Sequence, residues 1–439
     1  MKKTKSSPYA VFLFDGLREW FWIISVLFLI LMVNLTLKYN EFLGLNFSKP
    51  QEIYAQVLFQ YPKAKERILK NGDHKQENYF VLKLMDNNGN TFYGISKEDI
   101  KFIQNRYIRI YGQFRKCSFV EFMRSCFINI YSLSLLHKRD YRDKIRDFID
   151  SQHKDSKGYL PTGNLYRALF IADPLDKLWR DISNKLGLAH IIAISGFHLG
   201  ILSSFLYILF YPIYHYFQKN YFSYRNEAYD LGVLILCCMF AYLLLLDYQP
   251  SFFRSFVMAA VGFLVYYSGI RILSFSLLFI VFLFCLAFSP GLILNIGFIL
   301  SISGVFYIFL FVKYFPKIHP IFYGICFNLA IFLNIAPIVH YFFPYFSPYQ
   351  LISIPVGILF IIFFPLSLLL HFFGFGNIFN TYLLWSLKVN IPFIEYYTPI
   401  WIVLFYAALS LGAIFSRFFY LSMNCLSIGF FIFLFLRYL

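Results

Sequence analysis

Apolar runs approaching the length of a membrane span recur along this chain, and one long polar stretch separates the first from the others. Residues 20–37, WFWIISVLFLILMVNLTL, form the first run and are long enough to cross a bilayer as a helix. From residue 187 onward the runs crowd together, over 190–217, 229–247, 251–269, 272–289, 291–313, 320–343, 349–372, 398–416 and 418–437. The pattern predicts a polytopic α-helical membrane protein of about ten spans. Residues 377–396 carry Lys388, Asn390, Pro392 and Glu395 and suit a re-entrant or surface segment better than a span.

The pattern changes over residues 40–186. Ile53–Tyr61, Tyr79–Met85, Thr91–Ile95 and Ile108–Phe114 read as short strands, and Asp86-Asn87-Asn88-Gly89-Asn90 reads as the turn of a hairpin. Several strands in so short a stretch predict a small OB-like β-barrel over 40–116. In its last strand Ile108 and Ile110 share one face, while Tyr107, Arg109, Tyr111, Gln113 and Arg115 share the other. That second face is either an ordinary solvated surface or one that stacks bases and neutralises phosphates. Residues 117–186 predict a mostly helical connector. Within it Phe119–Leu136 reads as an amphipathic helix and Lys138–Asp150 as a solvated helix with surface ion pairs. The chain thus divides into a cytoplasmic N-terminus and anchor (1–39), the barrel (40–116), the connector (117–186) and a multi-span domain (187–439).

Charge adds orientation. The formal net charge is +16, distributed as +3 over residues 1–39, +8 over 40–186 and +5 over 187–439. Lys2, Lys3, Lys5 and Arg18 precede the first run and place the N-terminus in the cytoplasm, with 40–186 outside and the first run as an uncleaved anchor. In this threading Lys219, Arg225, Arg271, Lys313 and Lys317 fall on the cytoplasmic side. The positive extracytoplasmic region suits a polyanion or anionic lipid headgroups without choosing between them. The 7 cysteines mostly lie in apolar runs and form no CxxC, so they read as packing residues rather than disulfides or zinc ligands. No cofactor or metal site is assigned.

The least ordinary apolar stretch is Gly187–Leu202, GLAHIIAISGFHLGIL. His190, Ser195 and His198 recur at near-helical spacing, and Gly196 and Gly200 have the GxxxG spacing of close helix packing. Polar groups at membrane depth are costly, so the stretch is either a tight helix crossing with satisfied histidines or the wall of a polar pathway. Arg254 presents a similar choice, between an ion pair with Asp247 and lining a route for anions.

GLAHIIAISGFHLG resembles the signature of the ComEC family of competence membrane proteins, G-L-x-H-L-L-A-I-S-G-L-H, through Gly187, Leu188, His190, Ala193, Ile194, Ser195, Gly196 and His198. LYRALFIAD resembles the family's A-L-x-x-G-D element, with Ala172 in place of its glycine and Asp173 matching. Pro250, Arg254 and Met258 resemble P-x-x-x-R-x-x-x-M, and Pro290, Asn295, Gly297, Phe298, Leu300 and Ser301 resemble a third element. A weaker fourth is Pro337 with His340 and the run to Pro355, where Gln350 stands near the position the family often fills with Asn.

The resemblance implies an inner-membrane channel that passes single-stranded DNA into the cytoplasm during natural transformation. It points to pathway roles for Asp173, His190, Ser195, Gly196, His198, Arg254 and Asn295, and the aromatic and basic face of the last strand adds Tyr107, Arg109, Tyr111 and Arg115 as candidate outer DNA contacts. Expected partners are single-stranded DNA, an extracytoplasmic DNA-receptor protein, a cytosolic ATPase or single-strand-binding protein, membrane lipid and further copies of the chain. The sequence shows no HxHxDH motif, and many family members carry a C-terminal metallo-β-lactamase-like domain, so a short, non-enzymatic form is expected. Two other readings stand beside it. One is a transporter of another polyanion or of lipid. The other is an intramembrane serine hydrolase built on Ser195, with His190, His198 or His340 as base.

Overall fold

A computed structural model of the chain describes residues 17–68, 74–86, 88–96, 103, 105–137, 140–156, 158–267, 275–316 and 318–439. Lys2, Lys3 and Lys5 of the N-terminal charge cluster, Asn87 of the hairpin turn, Lys138, Arg271 and Lys317 lie outside the described residues. The chain forms two compact units. One holds Ile24–Arg146 with Cys285–Asn295, and the other holds Asp147–Phe284 with Ile296–Leu439.

Helix α1 (Leu17–Leu43) is the first apolar run, and its side chains are largely exposed, as a span facing lipid requires. The strands that follow are β1 (Gln51–Ile68), β2 (His74–Asp86), β3 (Thr91–Ser96) and β4 (Tyr107–Phe114); then come the short helix α2 (Phe119–Arg124) and β5 (Cys126–Leu135). They close into a barrel in the order β1-β2-β3-β5-β4, with β3 and β5 parallel and the other pairs antiparallel. Val57, Leu84, Ile108, Ile110 and Ile128 fill its interior. The β2–β3 hairpin turns where the sequence places it. Asp86 Oδ1 accepts from the backbone N–H groups of Asn88 and Asn90, and Gly89 takes φ 78°. At Gly112 the β4–β5 register shifts, and a Cβ there would lie 2.4 Å from the Asn129 carbonyl oxygen, so only glycine fits.

Three expectations for this region are corrected. Phe119–Leu136 is not one amphipathic helix: helix α2 ends at Arg124, and Cys126–Leu135 is the strand that closes the barrel. Ser118 and Glu121 form a capping box that sets the start of this short helix. Cys117 and Cys126 are not packing residues but a disulfide, with Cα atoms 6.0 Å apart across α2. The charges at the start of α3 (Asp143–Gln152) are not all solvated: Lys144 and Asp147 are exposed, but Asp140, Arg142 and Arg146 are buried. Arg142 and Arg146 both pair with the buried Asp140 carboxylate, at 2.9 and 3.0 Å, and Gln56 donates to it as well. Burial opposes the Asp140 charge, but the two guanidiniums outweigh it and hold its carboxyl below the usual carboxylate range.

The second unit continues through α4 (Thr162–Ile171), α5 (Lys177–Lys185), the short α6 (Ala189–Ile192) and α7 (Gly196–Tyr221). Then follow α8 (Glu227–Leu245), α9 (Pro250–Tyr267), α10 (Phe275–Phe288), α11 (Ile296–Tyr314), α12 (Pro320–Phe342), α13 (Ser353–Phe372), α14 (Asn380–Ser386), α15 (Ile400–Gly412) and α16 (Arg417–Tyr438). Among the described residues, 7 helical stretches are long and apolar enough to cross a membrane: Trp20–Leu43, Gly196–Tyr221, Glu227–Leu245, Ile296–Tyr314, Pro320–Phe342, Pro348–Phe372 and Arg417–Tyr438. The other predicted spans coincide with shorter apolar helices, at Pro250–Leu264, Phe275–Phe288 and Ile400–Gly412. Residues 377–396 contain the end of a 3₁₀ turn (Gly376–Phe379), α14 and a two-residue strand, Ile394–Glu395, paired with Tyr345–Phe346.

One group of buried polar side chains between these helices is partnered, as a low-dielectric interior favours. Asn334 accepts from the Ser427 hydroxyl at 2.8 Å and donates to Asn424, and the Tyr406 hydroxyl donates to its carbonyl at 2.8 Å. Tyr307 and Ser410 extend the network, which ties α11, α12, α15 and α16 together.

Candidate functional site

The signature stretch is a broken helix. Helix α6 ends at Ile192, Ala193 is extended, and α7 begins anew at Gly196 with Ser195 as its N-cap. The break has a local cause. Ser195 accepts from the Phe197 N–H at 3.3 Å, and His198, three residues on, takes the place that Glu or Gln fills in a capping box. The Ser195 N–H donates to His198 Nδ1 at 3.4 Å, so that nitrogen carries the lone pair and Nε2 carries the hydrogen. His198 is fully buried, and its Nε2, which has no hydrogen-bond partner, lies among the rings of Phe360 and Phe364 on α13. The carbonyl freed at Ile194 is satisfied from outside, by the Ser251 hydroxyl of α9 at 2.5 Å.

The next turn of α9 brings Arg254 to the same place. A Cβ on Gly196 would lie 2.5 Å from Ser255 Oγ and 3.4 Å from Arg254 Nη2, so glycine is what lets the two helices meet here. Gly200 is different: it faces open space, so the GxxxG reading holds at Gly196 and fails at Gly200. Arg254 is 3% exposed and donates to Ser255 Oγ at 2.7 Å and, across to α11, to Ser301 Oγ at 3.0 Å. Hydroxyl partners on α9 and α11 help to fix the guanidinium in place. The α7 N-terminus, itself an electropositive helix end, therefore stands beside a buried cation.

The predicted residues do not all gather here. Ser195, Gly196, His198 and Arg254 do. His190 is exposed and bonds the Gly187 backbone; the break at Ala193–Ser195 puts it on a different helix from His198, so the two do not share a face. Asp173 follows α4, is buried, and has its carboxylate 4.0 Å from the Arg167 guanidinium, which also binds Asp150 at 2.8 Å. The residue before it, Ala172, is left-handed at φ 58°, which explains a glycine preference at that position. Asn295 ends the 3₁₀ turn Pro290–Leu294, in the unit that holds the barrel. Sequence reasoning missed Ser301 and Gln350 as partners. Gln350 donates to the carbonyls of Tyr345 and Asn184, and its side chain packs on Gly187, itself at φ 66°. The signal was present, since both lie in elements already singled out.

On the barrel, Arg109 is paired with Glu52 in an exposed ion pair. Glu52 also accepts from the Tyr54 hydroxyl at 2.7 Å, which raises that phenol above its usual range. Tyr111 and Arg115 are exposed and Tyr107 is half-buried. The structure adds aromatics that the sequence reading left out. Tyr54, Phe127 and Tyr131 are exposed, Tyr111 and Tyr131 lie 6.4 Å apart, and Phe127 stacks on Tyr93 at 5.5 Å. The outer surface of β1, β4, β5 and β3 is thus rich in rings.

This is a polytopic membrane protein that carries a closed five-stranded barrel and a broken helix beside a buried arginine. The Competence protein family model matches residues 172–436, more than half of the chain, and the chain belongs to this family of ComEC-type competence proteins. That membership supports a role in DNA uptake for transformation, in a family of transport proteins rather than a known family of enzymes. No curated protein and no solved structure matches the chain.

Proposed function

We propose that this protein is an inner-membrane channel for single-stranded DNA, and that the closed barrel is an OB-like domain receiving the strand outside. The observation that carries the reading is the convergence of the family elements. The signature supplies the α7 N-terminus and Gly196, the second element supplies Arg254, and the third supplies Ser301. A polyanion crossing a low-dielectric layer needs positive potential along its route. In this reading the α7 N-terminus and the buried Arg254 guanidinium beside it supply that potential. The barrel's strand order and its ring-rich outer surface fit a sequence-tolerant single-strand grip. Expected partners remain a DNA-receptor protein outside, a cytosolic ATPase or single-strand-binding protein, and further copies of the chain.

A hydrolase centred on Ser195 fits less well. The Ser195 hydroxyl serves as a helix cap, and His198 Nδ1 faces the Ser195 backbone N–H. A catalytic base must face the nucleophile's own proton.

The test is uptake of labelled DNA in a deletion strain complemented with wild type, Arg254→Lys or Arg254→Gln. Loss of a charge-assisted contact worth about 1.5–3 kcal/mol corresponds to a fall of roughly ten- to a hundredfold for Gln. Arg254→Lys keeps the charge and should retain more uptake than Gln. A deletion strain that transforms normally would sink the channel reading and favour transport of another polyanion or of lipid.

A further inference from the structure

Away from this site, two histidines that no part of the proposed function uses meet in the interior. His153 follows α3, and His371 sits in the last turn of α13. They are 218 positions apart in sequence, yet their Nε2 atoms lie 2.9 Å from each other, and both side chains are buried. His371 Nδ1 faces the Ser367 carbonyl at 2.7 Å, and His153 Nδ1 faces Asn380 Oδ1 at 2.8 Å, an amide whose oxygen and nitrogen exchange places by a flip, with the Thr162 hydroxyl 3.4 Å away. The Tyr166 ring packs on both imidazoles. Gln152 completes the connection: its amide donates to the His371 carbonyl at 2.9 Å and accepts from the Gly376 N–H at 2.8 Å.

Counting protons along this chain shows what it can do. The Ser367 carbonyl can only accept, so His371 Nδ1 always carries hydrogen. With the Asn380 amide presenting NH₂ to His153, every group is satisfied with both imidazoles neutral and the His153 Nε2–H donating. With Asn380 presenting oxygen, His153 Nδ1 carries the hydrogen, and the His371 Nε2–H donates instead; the pair then holds one extra proton. Both arrangements keep the N–H···N bond. A second extra proton puts hydrogen and positive charge on both facing nitrogens, and the bond cannot survive.

We propose that His153 and His371 form a proton-binding latch, closed while the pair holds at most one extra proton and released when both imidazoles are charged, freeing the Gln152–His153 turn from the end of α13. Burial lowers the His153 pKa to about 4, so closure is complete above the ordinary histidine range and is lost as pH falls toward that value. Among the described residues, the other titratable groups around the pair are Tyr166, Asp150 and Arg167, from α4 and α3. Tyr166 stays neutral throughout, since burial raises its phenol. Asp150 is raised by burial, with Arg167 opposing; its protonation therefore favours the closed form as pH falls. Opening on acidification thus has the sign of the histidines and the opposite sign to the neighbouring carboxylate.

The test is hydrogen–deuterium exchange of the full chain in lipid nanodiscs at pH 7.5 and pH 4, corrected for intrinsic exchange, read on peptides covering 150–156 and 371–380. Wild type should lose protection by about tenfold or more at pH 4. His153→Gln donates an amide N–H to His371 without titrating, so its protection should be insensitive to pH. Unchanged protection in wild type overturns the latch. So does a His153→Gln protein that opens with acid just as wild type does, because another group would then be responsible. Should that variant aggregate, ¹⁵N-histidine NMR of wild type decides: an N–H···N coupling at neutral pH that vanishes at pH 4 is expected, and its absence at neutral pH overturns the proposal.

Discussion

Ala172 sits at φ 58°, a conformation that an L-residue adopts at a cost of roughly 1 kcal/mol and glycine adopts freely. It stands where the resembling family element has glycine, directly before the buried Asp173. Relief of this strain is partly offset by glycine's greater freedom in the unfolded chain, so Ala172→Gly should stabilise by a net of about 0.5 kcal/mol. Ala172→Val should destabilise by more than that, because a β-branched residue resists the left-handed region. Thermal unfolding midpoints in one detergent, compared with wild type, check both signs. The sequence made this residue visible as a departure from a pattern, but the sign of φ there depends on how α4 ends. The histidine pair shows the opposite case. Nothing local marks His153 or His371, because what gives them meaning is a contact between distant segments.

At the scale of elements, the legible features were those that repeat. Apolar runs located the apolar helices, and Asp86 to Asn90 located the hairpin, because length and turn chemistry are local properties. Strand β5 was not legible, for a physical reason. Phe127 and Tyr131 lie on its outer face and Cys126 and Ile128 on its inner face, so apolar residues occupy both and the period of two is erased. The break between α6 and α7 was half legible. Ser195 and Gly196 are ordinary helix-start residues, but His198 at the third position disguises the capping box. If capping is what His198 contributes, His198→Gln should keep it, and His198→Leu should lose about 1 kcal/mol of it. The channel role proposed for the break then predicts that DNA uptake follows the same order, with Gln close to wild type and Leu impaired. Equal loss in both variants, with normal folding, would mean that the imidazole itself is needed beyond the cap.

At the scale of the whole molecule, charge alone does not say how the barrel would hold a strand in the proposed channel. The region 40–186 carries +8, yet on the barrel face Arg109 is engaged with Glu52, and Arg115 Nε donates to the Asn129 side chain. What the face offers in quantity is rings, Tyr54, Tyr111, Phe127 and Tyr131, drawn from three strands. Stacking on such rings is available to unpaired bases and not to bases already stacked in a duplex. The double variant Tyr111→Ala with Tyr131→Ala should therefore weaken binding of a single-stranded oligonucleotide to the full chain in nanodiscs by about 1–3 kcal/mol per lost base contact. Duplex binding should change little. Arg109→Ala should have a smaller effect than the double variant, because the Arg109 charge is already engaged by Glu52 in an exposed ion pair worth at most about 1 kcal/mol. Fluorescence anisotropy at two salt concentrations separates the contributions, since ring contacts leave the salt slope unchanged and phosphate contacts steepen it. A steep slope that Arg109→Ala abolishes, with no effect from the tyrosines, would assign the grip to charge instead. The ring-rich surface would then be packing against something other than bases.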